Sequence, residues 1–224
     1  MNEVLEIQLS GWTATPRLPF VLSGNAVCMP VPSYSLLLGI IGCCIGRLVN
    51  PNELKLGYKY SYDTVGKDLE TRQRLVFDGK KVKTHSKGTD AYTREFHVAP
   101  KLTLWVDRLD WVNYFLNPIG TPSLGRSQDI LKIENVRTVN VKSTSETTIS
   151  GCMIPFSADL NVGGQLIQLA EAFQESEEIG GGRIATKTDI FIAIAPDNQQ
   201  FVKIGNLYQT QEENSKSFYL HQFV

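Results

Sequence analysis

Residues 72–85 read RQRLVFDGKKVKTH, two strand-like runs meeting at Asp78-Gly79, a pair that marks a two-residue type I′ hairpin turn. With that turn Phe77 faces Lys80, Val76 faces Lys81, Leu75 faces Val82, Arg74 faces Lys83 and Arg72 faces His85. Successive side chains of a strand point to opposite faces. Arg72, Arg74, Lys81, Lys83 and His85 are therefore expected on one side, and Leu75, Phe77 and Val82 on the other. Like charges opposed across strands disfavour pairing by a few tenths of a kcal/mol to about 1 kcal/mol each, and an isolated hairpin is already marginal. The stripe calls for an anion. Nucleic-acid phosphate is the natural choice, because Arg and Lys contacts to it release counterions. A solvated edge hairpin that uses Lys against aggregation is the plainer account. Lys87, Arg94 and Lys101 would extend the surface if the chain folds back beside it.

Outward from the hairpin, Val4 to Ser10 alternates with Leu5, Ile7 and Leu9 on one face, the signature of a half-buried strand. Ser33 is placed to cap a helix running from Tyr34 to about Leu48. Gly39, Gly42 and Gly46 cost that helix about 1 kcal/mol each relative to Ala, and their spacing suggests one stripe in close contact with another backbone. Leu56 to Tyr62 reads as a second strand, with Tyr58, Tyr60 and Tyr62 as core or interface residues. Lys101 to Val106 is a third, with Leu102, Leu104 and Val106 inward and Trp105 outward. A short helix follows from Asp110 to Leu116, then a bulged fourth strand from Ile130 to Val141. The order strand, helix, strand, strand, helix, strand is the split βαβ arrangement. The expected class is α+β: a ferredoxin-like (RRM-like) domain over residues 1–145, with an inserted β-hairpin thumb at about 65–98. A β-rich C-terminal lobe over 146–224 would hold strands at Ile190 to Ala195, Phe201 to Leu207 and Phe218 to Val224, and an amphipathic helix near Gln165 to Gln174.

Composition narrows the class. At 224 residues, 42% hydrophobic and 20% charged, the chain can bury a sizeable core, and disordered or fibrous classes are disfavoured. The longest apolar run, from Leu36 to Val49, contains Arg47 and falls short of the roughly twenty residues that span a bilayer. No secretory pattern opens the sequence, and Cys28, Cys43, Cys44 and Cys152 lack paired spacing, so a reducing cytoplasm without zinc is expected. The net charge of −1 hides an asymmetry: residues 55–108 hold twelve Lys/Arg against seven Asp/Glu, and the rest ten against sixteen. A solvated face is the ordinary explanation of such a run.

Four segments together carry a resemblance. Residues 12–20 (WTATPRLPF), 29–46 (MPVPSYSLLLGIIGCCIG), 93–106 (TREFHVAPKLTLWV) and 122–132 (PSLGRSQDILK) resemble successive motifs of the CRISPR-associated Cas-five family, of the RAMP superfamily, most closely type I-B. The likeness spans roughly residues 1–140. It implies an RNA-recognition-like domain with a hairpin thumb, in a subunit of a type I Cascade complex serving antiviral defence or guided DNA targeting. Such a subunit holds the 5′ handle of the CRISPR RNA, caps the Cas-seven backbone filament, contacts the large Cas-eight subunit and meets target DNA through the complex. Carried onto this sequence, Arg17, Ser33 and Tyr34 fall near the handle, and Gly125, Arg126 and Ser127 match the LGRS loop. A helix N-terminus offers free N–H groups to phosphate, and a loop Arg can reach backbone oxygens or stack on a splayed base.

Catalysis is the competing expectation. Type I-C relatives cut precursor RNA without metal, which requires acid and base groups around one phosphodiester. Here only His85, His97 and His221 are present and none adjoins a lysine, so no catalytic residue is assigned. His97 is expected to be structural, bonded near Glu95. The run Gly180-Gly181-Gly182-Arg183 lacks the phosphate-loop pattern and reads as a turn or an RNA-brushing loop. No metal cluster or nucleophile motif stands out, and no cofactor is expected.

Overall fold

The computed structural model describes residues 1–19, 25–177 and 182–223. Its first half runs β1 (Glu3–Gly11), β2 (Thr13–Ala14), β3 (Asn25–Ala26), α1 (Tyr34–Ile45), β4 (Lys55–Ser61), β5 (Thr64–Phe77), β6 (Val82–Val98), β7 (Lys101–Val106) and α2 (Val112–Leu116). The second half is all strand: β8 (Leu131–Thr144), β9 (Thr147–Ile149), β10 (Cys152–Pro155), β11 (Gln165–Glu175), β12 (Arg183–Ile194), β13 (Gln200–Val202), β14 (Leu207–Thr210) and β15 (Ser217–Gln222). The molecule is mostly β, where an α+β chain was expected. Among the described residues no helix is long and apolar enough to cross a membrane.

Six antiparallel strands close into a barrel in the order β1-β7-β4-β15-β14-β8. The barrel draws strands from both sides of residue 145, because β14 and β15 bridge the two edges that β8 and β4 would otherwise leave open. Closure removes unpaired edges. The expected bulge in the fourth long strand is present: Gln8 pairs with Asn135 and Leu9 with Ile133, leaving Glu134 as the extra residue.

The period of two sorts the side chains. Leu5, Ile7 and Leu9 of β1, Leu56, Tyr58 and Tyr60 of β4, and Leu102, Leu104 and Val106 of β7 pack with Leu37, Ile40, Ile41 and Ile45 of α1 in the main core. The opposite face carries a second cluster of Val4, Trp105, Val139, Val141, Phe218 and Leu220. Trp105 is thus buried rather than outward. Its ring lies 4.2 Å from that of Phe218 and only 8° from parallel, and closure by β15 is what supplies Phe218. Glu6 is fully enclosed on the same face, where Arg137, Lys216 and the Trp105 indole donate to its carboxylate. Burial would raise the Glu6 pKa, but the hydrogen bonds from Arg137, Lys216 and Gln8 outweigh it and hold it below the ordinary value.

Ser33 caps α1, its Oγ accepting from Leu36 N, and Gly46 ends the helix at φ +82° ahead of the expected Leu48. Gly39 faces open space and Gly42 packs against the Arg47 carbonyl, so the glycines do not line a helix-on-sheet contact. The segment expected to be a helix near Gln165 to Gln174 is strand β11, paired along its length with β12. Its Ala, Leu, Gln and Glu content favours helix. A bulge at Glu171 breaks the alternation, so that Ile167, Leu169, Glu171 and Ala172 are all buried and the strand period is hidden. Cross-strand pairing overrides the local propensity.

Gly57 sits opposite Trp105 on β4, and a Cβ there would lie 2.7 Å from Phe218 Cδ2 and 2.8 Å from the Tyr219 carbonyl oxygen. Gly57→Ala is expected to destabilise the barrel by about 1–3 kcal/mol through overpacking. Urea denaturation followed by Trp fluorescence measures this, and an unchanged midpoint contradicts the packing described.

Candidate nucleic-acid interface

The site is built around a carboxylate. Asp129 is fully enclosed, and its Oδ1 and Oδ2 accept hydroxyl hydrogens from Thr13 and Thr15, each at 2.6 Å. The backbone N–H of Arg126 donates to Asp129 Oδ2 at 3.1 Å, and the Arg126 guanidinium donates to both oxygens, at 3.1 Å from Nε and 3.0 Å from Nη2. Burial would raise the Asp129 pKa; Arg126, Thr13 and Thr15 reverse that and keep it ionised. Gly125 precedes this turn with φ +110°, and a Cβ there would overlap the Thr15 carbonyl. Only glycine combines that backbone with that approach.

Arg126 Nη1 reaches in the other direction, donating at 2.7 Å to Oε1 of Glu70 on β5. Arg94 Nε lies 2.7 Å from the same oxygen without being aligned to donate to it, and Tyr92 Oη donates to Oε2 at 2.6 Å. Glu70 is partly desolvated, which would raise its pKa, yet Tyr92, Arg94 and Arg126 lower it to about 2.

Arg17, Ser33, Arg94, Gly125 and Arg126, distant in sequence, line one cleft of about 430 Å³ together with Thr15, Ser35, Phe173 and Arg183. A contiguous groove of about 590 Å³ shares Arg17, Met29, Ser33, Ser35 and Phe173 and continues along Gln168, Leu169 and Ala170 of β11. Its walls are cationic at one end and apolar along the floor. Such a surface fits a backbone phosphate beside an unstacked base.

Other expected site residues lie elsewhere. Tyr34 is buried, donating its hydroxyl to the Met153 carbonyl at 2.7 Å and stacking on His221 at 4.2 Å, so it presents nothing to the cleft. Ser127 is exposed on the adjoining turn. His97 is enclosed and bonded to Tyr60 Oη through Nδ1 at 2.8 Å, not to Glu95, and burial lowers its pKa to about 4. Gly180 and Gly181 lie outside the described residues, but Arg183 opens β12 and enters the cleft. Phe20 of the first motif is likewise outside them.

The hairpin departs from expectation in register. Phe77 pairs with Val82, Val76 with Lys83 and Leu75 with Thr84, so the turn centres on Gly79-Lys80, one residue later than expected. Gly79 has φ +92° while Lys80 does not adopt positive φ, which excludes type I′. The cause is Asp78, whose Oδ1 accepts from the N–H of both Lys80 and Lys81. The slide removes the like-charge oppositions. Lys83 ion-pairs with Asp78, Arg74 with Asp90, and Arg72 stands opposite Asp90 with its guanidinium 5.0 Å from the Tyr92 ring. Residues 85–88 form a bulge in which His85 Nδ1 accepts from Lys87 N. The face is a ladder of mixed charge, Asp68, Glu70, Arg72 and Arg74 on β5 beside Asp90, Tyr92 and Arg94 on β6, and not an uncompensated stripe. Its base runs into the cleft. Glu70, Ser35 and Phe173 are not marked by the sequence reading, which names Arg183 only within a turn or RNA-brushing loop; Glu70 is discoverable from its spacing of two and four from Arg72 and Arg74.

Among the described residues no group of three or more His, Cys, Asp or Glu is arranged to hold a metal ion. No protein-family model matches this sequence, and no curated protein does. Solved structures do resemble it in fold. A chain of a CRISPR RNA-guided surveillance complex matches with a TM-score of 0.50 at 15% identity, over 87% of this chain and 91% of that one. A chain of the type III-B Cmr-beta complex bound to cognate target RNA matches with a TM-score of 0.50 at 10% identity, over 90% of this chain and 86% of that one. At such identities the likeness is one of architecture.

Two outcomes follow from the geometry. Because the folded Glu70 pKa lies below its ordinary 4.5, its contribution to stability is complete above about pH 4.5 and is lost as pH falls towards 2. Thermal melting against pH is expected to show that loss in the wild type and a shallower one in Glu70→Gln; identical profiles contradict the network. Gly125→Ala is expected to cost about 1–3 kcal/mol through backbone strain and the Thr15 clash, read as a lowered denaturation midpoint.

Proposed function

We propose that this chain is a non-catalytic RNA-binding subunit of a type I CRISPR effector complex, of the Cas-five kind, holding the 5′ handle of the CRISPR RNA. The observation that carries the reading is the cleft. Of the positions that the family resemblance puts near the handle or in the LGRS loop, Arg17, Ser33, Gly125 and Arg126 converge there, without Tyr34 and Ser127, and are joined by Arg94 and Arg183 from the hairpins β5–β6 and β11–β12. The strand order β8-β1-β7-β4, with α1 and α2 in the connections, supports a ferredoxin-like unit inside the barrel. The fold-level likeness to chains of two CRISPR effector complexes supports a multisubunit, RNA-guided assembly; Cas-seven, Cas-eight and target DNA as its neighbours are what the family resemblance implies.

The groove favours backbone holding over chemistry. Its lining offers guanidinium, hydroxyl and apolar groups, while His97 and His221 are both buried away from it. Near-neutral overall charge fits a subunit whose neighbours supply part of the RNA path.

Labelled CRISPR repeat RNA incubated with the purified chain in EDTA tests both halves of the reading. The expected result is retention without cleavage, with Arg17→Gln, Arg126→Gln and Arg183→Gln each weakening binding. Each is expected to reduce the log–log salt slope by about 0.7, the value of one single-strand phosphate contact. Specific cleavage at a handle boundary overturns the non-catalytic assignment, and salt-independent binding overturns the cleft.

A further inference from the structure

Glu70 is an anion held where the cleft would hold another. Its Oε1 is shared by the Arg94 and Arg126 guanidiniums, each 2.7 Å away, the relation a single phosphate oxygen has to two arginine forks. The fit is imperfect on one side: Arg94 Nε is buried and in close ionic contact, but no acceptor is aligned with it. Arg126 does not depend on Glu70 for its position, because Asp129 and its own backbone N–H fix the other side of the fork. Glu70 is placed to leave. Its side chain is 26% exposed, and β5 pairs only with β6 among the described strands.

We propose, resting on the RNA-binding reading above, that the Arg94–Arg126 pair is a phosphate site which the chain's own Glu70 carboxylate fills until RNA displaces it. Filling the cleft then unties the base of the β5–β6 hairpin from the 122–130 loop. A phosphodiester carries the same unit charge as the carboxylate, but it arrives with neighbouring phosphates that Arg17 and Arg183 can hold in the same cleft. The exchange is therefore favourable for a strand of RNA and unfavourable for an isolated monoanion. Glu70 thereby raises the threshold for binding and discriminates against short or non-polymeric anions.

The test is a titration of the full chain with labelled single-stranded oligouridylate, comparing wild type, Glu70→Gln, Glu70→Ala and Arg126→Gln, alongside thermal melting of each. Glu70→Gln and Glu70→Ala are expected to bind RNA about threefold to tenfold tighter, the scale of releasing a part-exposed ion pair on each arginine, while melting at a lower temperature. Arg126→Gln is expected to bind more weakly. Opposite signs for affinity and stability distinguish a displaced anion from a structural brace, which would lose both together. Hydrogen exchange of the wild type is expected to quicken across residues 64–72 and 90–98 when RNA is added. Unchanged or weaker RNA binding by folded Glu70→Gln, or protection of those amides by RNA, overturns the displacement and leaves the RNA-binding reading standing. Absence of RNA binding in wild type and variants alike overturns both. Gln is isosteric with Glu and retains a hydrogen-bonding oxygen for Tyr92, so this variant keeps the test open should Glu70→Ala unfold.

Discussion

A single enclosed carboxylate organises the functional face. Asp129 cannot remain ionised in the interior without donors, since an unpaired buried charge is far too costly. It collects them from three residues: the hydroxyls of Thr13 and Thr15 just beyond β1, and the guanidinium and backbone of Arg126 in the 122–130 loop ahead of β8. The consequence is positional. Arg126 is fixed with one side of its fork committed, and its other side is aimed at the hairpin base. The fold-level need to satisfy Asp129 and the site-level need to aim an arginine are met by the same hydrogen bonds.

The hairpin shows how a chain resolves like charges that a turn at Asp78-Gly79 would force together. Asp78 draws the turn forward by one residue, and that step takes Arg74 and Lys83 out of opposition. Acids on the same face then pair with the bases. A step of one residue in the turn changes the pairing by two, so the division of the two faces survives: Leu75, Phe77, Val82 and Thr84 share one, and Val76 and Lys83 the other. What changes is the electrostatic character, from a bare cationic surface to a ladder of paired charges whose base adjoins the arginines that line the cleft. The distal apolar residues Leu75, Phe77 and Val82 remain exposed.

Reading the residues in order located the strong elements well. Lys101–Val106 is a strand with the stated limits, Ser33 is the cap, and Tyr58 and Tyr60 are core residues. Three of the differences have one source. Trp105 was placed outward because alternation assigns one face to solvent, whereas barrel closure buries both. Gln165 to Gln174 was placed in a helix because a bulge hid its period. The family resemblance puts Tyr34 near the handle, whereas its ring packs against His221 and Phe223. Each of these three concerns a partner distant in the chain; the hairpin turn is the exception, moved by Asp78 through hydrogen bonds two and three residues away.

By itself the sequence determined the periodicities of the regular barrel strands, the Ser33 cap and the four motif segments that bear the family resemblance, because each depends on residues within a few positions of one another. Only the tertiary structure decided that β14 and β15 close the sheet, that Glu6 and Asp129 are enclosed and compensated, that Arg17, Arg94, Arg126 and Arg183 line one cleft, and that Glu70 bridges Arg94 and Arg126. Those outcomes are set by strand pairing and charge balance between segments separated by tens to hundreds of residues, and neither spacing nor composition records which distant partners a side chain will find.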